Sequence, residues 1–107
     1  MDLEIRVHVT PPLAELRIRG ELDFSTADRI GWATDQAAAS GCTLVAMDLG
    51  QVTFIDSCGV RALIRALDRL NAAGSGLWVT VVSAQVSRVM RLAGTDVLFG
   101  VADLVPG

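Results

Sequence analysis

Between Thr43 and Val82 the residue pattern changes period twice, and this constrains the fold more than any other feature of the chain. Thr43 to Leu49 is a nearly continuous apolar run of strand length, the pattern of a central strand covered on both faces. A short segment, Val52 to Ile55, then leads into Asp56-Ser57. Beyond it Val60, Leu63, Ile64, Leu67 and Leu70 recur at helical spacing, while Arg61, Arg65 and Arg69 line a different face. Gly74-Ser75-Gly76 ends this helix, which is predicted to bury Leu63, Ile64 and Leu67. Leu77 to Val82 returns to the buried-strand pattern. Two strands joined through a helix run parallel, so the middle of the chain requires a sheet with helix packed on it.

The flanking segments complete the pattern. Leu3, Ile5, Val7 and Val9 alternate with Glu4, Arg6 and His8, a half-buried strand that Pro11-Pro12 interrupts. Leu13 to Arg19 resumes the alternation, setting Leu16 and Ile18 against Glu15, Arg17 and Arg19, and Gly20 closes the antiparallel pair. Ser25 or Thr26 supplies the N-cap of a first helix with a narrow stripe of Ile30, Ala33, Ala37 and Ala38, ending at Gly41. Val86, Val89, Met90 and Ala93 make a third, shorter helix that stops at Gly94, and Val97 to Val105 is apolar enough to return to the core. The order β-β-α-β-α-β-α predicts an α/β domain with one mixed sheet of about four to five strands packed against helices. At 107 residues, positions 1–107 fit one domain.

Composition narrows the function classes. A hydrophobic share of 51% supports a sizeable core, and 20% charged residues of both signs argue against disorder. With a net charge of −3, nothing draws the chain to nucleic acid or to an anionic membrane, whose binders carry clustered positive charge. Met1-Asp2-Leu3-Glu4 lacks the basic and apolar regions of a secretory signal, and no apolar run approaches a membrane span, so a cytoplasmic location is expected. Cys42 and Cys58 are too few and too far apart for a disulfide framework or a zinc site; no metal and no cofactor are expected, and both thiols should be reduced.

Three segments point to a family. Gly20-Glu21-Leu22-Asp23-Phe24-Ser25-Thr26-Ala27 resembles the strand-to-helix signature of bacterial anti-sigma factor antagonists, which are STAS domains. Phe54-Ile55-Asp56-Ser57-Cys58-Gly59-Val60 resembles their phosphorylation loop, and Arg88-Val89-Met90-Arg91-Leu92-Ala93-Gly94 is similar to their last helix with its terminating glycine. The resemblance spans nearly the whole chain. It implies a binding switch without catalysis of its own: the unphosphorylated domain binds an anti-sigma factor that is also a serine kinase and so releases a sigma factor. Phosphorylation of Ser57 ends that binding and a serine phosphatase restores it. The residues it places on the partner surface are Asp23, Ser25, Thr26, Asp56, Cys58, Gly59 and Arg61.

Each of these residues also has a plainer role. Ser57 can be an N-cap for the second helix, and that role and a phosphoacceptor role hold together. Asp56 is a capping or turn aspartate, and Asp23, Ser25 and Thr26 are cap residues of the first helix. Cys58 and Arg61 depart from the family pattern, which usually has a second hydroxyl at the first position and a small residue at the second. A small semi-buried packing role suits Cys58 better than redox chemistry, although a helix N-terminus lowers a thiol pKa. Arg61, one turn beyond Ser57, either is solvated or pairs with a phosphate there. Two other functions share the sequence. A STAS subunit of a lipid transporter or sensory assembly would need Ser57 only as a cap. A thiol enzyme built on Cys58 is disfavoured by the lack of a C-x-x-C pair and of a phosphate-cradling loop followed by arginine, and the lone His8 sits in a strand.

Overall fold

The computed structural model describes residues 3–102 and 104. Seven elements follow in the expected order: β1 (Leu3–Thr10), β2 (Leu13–Leu22), α1 (Asp28–Ala39), β3 (Leu44–Ile55), α2 (Ser57–Ala72), β4 (Gly76–Val82) and α3 (Ala84–Leu92). The sheet has four strands in the order β1-β2-β3-β4, at the lower end of the expected number. β1 pairs antiparallel with β2, while β2–β3 and β3–β4 are parallel, as the intervening helices require.

Alternation decides which sheet face is covered. Ala14, Leu16 and Ile18 of β2 are buried in one core with Val45, Met47 and Leu49 of β3, Ile30, Ala33 and Ala37 of α1, and Leu63, Ala66 and Leu70 of α2. The opposite face carries Glu4, Arg6 and His8 beside Arg19, Arg17 and Glu15 in cross-strand register, with Arg6, Arg17 and Arg19 exposed. The expectation that β3 is covered on both faces is therefore corrected. Leu44 stands exposed on the open face, and Ala46 reaches 5% exposure because the longer Glu15 and Trp78 flank it in register. Ile64 is also only half-buried, because it faces the seam between α2 and α3. An ion pair of 2.6 Å between Arg69 and Asp35 ties α2 to α1.

Three boundaries differ from the sequence reading. Gly20 does not close the hairpin: its φ of 111° sits at register shifts between β2 and β3, and the strand continues to Leu22. A left-handed glycine thus serves as a bulge within the strand. The two apolar segments from Thr43 to Ile55 are one strand. Neither Ser25 nor Thr26 caps α1, whose N-cap position is Ala27 with no side-chain bond. Near the C-terminus Phe99 and Val101 enter the core while Val97 and Leu98 stay exposed; Val105 lies outside the described residues, as do the two ends of the 1–107 domain.

Candidate functional site

The parallel pairing of β2 and β3 brings the ends of both strands to one place. Leu22 is in register with Ile55, and the Asp56 amide donates to the Leu22 carbonyl at 3.3 Å. The loop after β2 and the start of α2 are therefore neighbours. Gly59 makes this approach possible: a Cβ there would lie 2.4 Å from the Leu22 carbonyl oxygen and 2.9 Å from side-chain atoms of Ile55 and Leu22. Only a residue without a side chain lets α2 start this close to the strand end.

Asp56, in extended conformation, is the N-cap of α2, and its carboxylate accepts from the Gly59 amide at 2.9 Å. The capping role read for Ser57 is thus corrected. Both residues are good caps, but the chain leaves the strand so that the aspartate holds the half-in position and Ser57 becomes the first helical residue. Ser57 is exposed, and its hydroxyl is released from capping.

The Asp23 loop is held by its own side chains. Asp23 Oδ1 accepts from the Ser25 amide at 2.9 Å and from the Ser25 hydroxyl at 2.6 Å. The hydroxyl bond from Ser25 holds the Asp23 carboxyl below its ordinary value; desolvation opposes it, and Thr26 adds a smaller lowering. Thr26 is buried, accepts from the Asp23 amide at 3.0 Å and donates to the Glu21 carbonyl at 2.8 Å. These local bonds consume the hydroxyls that would have capped α1. Between them Phe24 projects with 78% exposure.

Beside Ser57 a cavity of about 420 Å³ opens between α2 and α3. Arg61 and Ile64 line it from α2, Val89 and Leu92 from α3, and Thr95 from the segment after α3. Leu92 is 83% exposed. The structure brings Ser57 and Arg61 to the groove, sets Asp23 and Ser25 in the adjoining loop, and places Asp56, Gly59 and Thr26 in the scaffold. Cys58 is half-buried and its thiol is free. Sequence reasoning missed Ile64, Val89 and Leu92 as a groove wall, and Phe24 as a projecting side chain. Leu92 offered a signal, since it is a large apolar residue off the Val86–Met90 stripe. No group of three or more metal-ligating side chains occurs among the described residues, and no helix among them is long and apolar enough to cross a membrane.

A four-stranded mixed sheet with three helices, and a helix that starts against the end of the neighbouring parallel strand, defines an α/β domain whose candidate site lies at the strand ends. Residues 4–105 match the STAS domain family, and the chain belongs to it. It is similar to the anti-sigma F factor antagonist of Paenibacillus polymyxa, 26% identical over 95 residues that make up 88% of this chain and 81% of that one. Its structure resembles that of an anti-sigma factor antagonist from Mycobacterium paratuberculosis, with a TM-score of 0.78 and 24% identity over 92% of this chain and 83% of the other. It also resembles a sulfate transporter family protein from Wolinella succinogenes, with a TM-score of 0.73 and 22% identity over 87% and 75% of the two chains. One fold thus serves different tasks, and function must be read from the site.

Proposed function

We propose that this chain is an anti-sigma factor antagonist that acts in the cytoplasm as a single STAS unit over 1–107 and is switched by phosphorylation of Ser57. One observation carries the reading: an exposed serine hydroxyl, relieved of capping by Asp56, stands at the start of α2 on the rim of an apolar groove. In the unphosphorylated state the groove wall, Phe24 and the Asp23 loop offer a contact surface for an anti-sigma factor that is also a serine kinase. The kinase brings the chemistry. The Ser57 oxygen attacks the γ-phosphorus of ATP, the bond to the bridging oxygen breaks, ADP leaves, and the hydroxyl proton passes to the kinase's base. Asp56 serves as the helix cap, its Oδ1 accepting from the Gly59 amide, and the reaction does not call on it as that base.

The product carries about −1.5 to −2 charges at a helix N-terminus, where the unpaired amides and the helix dipole favour an anion. The domain therefore keeps its fold, while an apolar partner surface would have to desolvate a dianion, and the complex dissociates. A serine phosphatase reverses the step by hydrolysis. The test combines the purified domain, a candidate anti-sigma kinase and ATP, with the phosphate located by mass spectrometry and binding measured before and after. Phosphate on Ser57 with loss of binding is the expected result. Absence of phosphate from Ser57, together with co-purification in a permease-type complex, would instead establish a transporter or sensory subunit in which Ser57 is an ordinary surface residue.

A further inference from the structure

We propose that Arg61 is a built-in counter-ion for phosphoserine at position 57, folding the phosphoryl group back across the mouth of the α2–α3 groove. This rests on Ser57 being the acceptor. Ser57 and Arg61 are four residues apart on α2 and line the same groove. Side chains at that spacing are neighbours on a helix surface, and an anion one turn before a cation is the favoured orientation. Arg61 is exposed, and none of the three ion pairs among the described residues uses it: these join Arg6 to Glu4, Arg17 to Glu15 and Arg69 to Asp35.

The surrounding charges leave the pairing open. Asp56, the N-cap just before Ser57, accepts from the Gly59 amide and Asp23 in the neighbouring loop accepts from Ser25; neither is paired with Arg61, and both keep their negative charge. From α3 the groove receives Val89, Leu92 and Ala93, with no charge. A guanidinium fork matches phosphate oxygens bidentately, which a small residue or a lysine does not. The paired phosphate lies over the apolar groove, so the modification covers the docking surface as well as charging it.

The experiment places phosphoserine at position 57 by encoded incorporation and follows its ³¹P resonance through a pH titration in the parent, R61K and R61Q backgrounds. The clamp favours the dianion, so R61Q should raise the apparent second pKa of the phosphoserine by about 0.2–0.7, the range an exposed charge pair supplies. R61K should fall between the two, and the difference should shrink in about 1 M salt. Identical titrations in the parent and R61Q overturn the clamp, as does a difference that salt leaves unchanged. Arg61 is exposed, so the variants should fold; if R61Q does not, a second pKa in the parent no lower than in R61K at the same salt also overturns it. Because the incorporated phosphoserine needs no kinase, failure here leaves the kinase assay on Ser57 to decide the switch separately.

Discussion

Replacing Gly59 with alanine tests the geometry that sets Ser57 in place. Two effects oppose each other. Alanine is favoured over glycine inside a helix by about 1 kcal/mol. Against this, the new Cβ meets the Leu22 carbonyl oxygen at 2.4 Å, a backbone atom at a strand end that cannot turn aside. Overpacking of this kind costs about 1–3 kcal/mol, and displacing the helix start strains the bond from Asp56 to the Gly59 amide, a cap that contributes about 0.5–2 kcal/mol. The clash and the cap outweigh the propensity gain, for a net loss of about 2 kcal/mol and a fall in Tm of roughly 8 °C in a domain of this size. Gly31 provides the control. It lies inside α1, and a Cβ there would approach only Arg69 Nη1, at 3.5 Å. Gly31→Ala should therefore stabilise by about 0.4–1 kcal/mol. Urea unfolding of both variants reads the two free energies directly. A Gly59→Ala protein as stable as the parent would refute the close approach of α2 to β2.

Asp56→Ala should cost about 0.5–2 kcal/mol as a lost cap, whereas Ser57→Ala should stay within about 0.5 kcal/mol; chemical denaturation showing the reverse order would return the cap to Ser57. Ser57→Asp should keep the fold at least as stable as Ser57→Ala, through the helix dipole, while weakening anti-sigma factor binding in a pull-down or titration. Cys58→Ser should preserve both fold and partner binding, and abolished activity in a folded variant would instead promote thiol chemistry. Asp23 has its folded pKa lowered below 3.8, so its bonds to Ser25 stabilise the fold above its unfolded pKa and lose that effect as pH falls through the folded one. The stability gap between the parent and Asp23→Asn should thus be open near neutral pH and close on acidification, as read by Tm.

Much of this fold was readable because its central segments obey single periods. The α2 stripe and the runs on either side of it admit one arrangement, and the resulting β-α-β unit holds. What escaped was decided by contacts between segments. Gly20 reads as a terminator because a left-handed glycine suits a turn and a bulge equally, and only the partner strand β3 distinguishes them. Ser25 and Thr26 read as caps, but Asp23 and Glu21 capture their hydroxyls first. Asp56 and Ser57 are both cap-competent neighbours, and a shift of one position reassigns the role. Ile64 belongs to the apolar stripe by spacing yet faces a seam that α3 only partly fills. The groove was illegible because its wall comes from two helices separated by a whole strand.

The sheet order leaves β1 as an outermost strand, with a row of backbone amides and carbonyls unpaired by any other strand among the described residues. Such an edge invites another strand to add on and grow a larger aggregate. Along β1, Glu4, Arg6 and His8 place a polar side chain at every second position on the open face. An added strand would confine these solvated groups between neighbours, a burden that falls on each new copy. Only Leu3 and Ile5 of β1 reach the core while Val7 and Val9 stay exposed, so these polar positions help to keep a chain with a 51% hydrophobic share from assembling edge to edge.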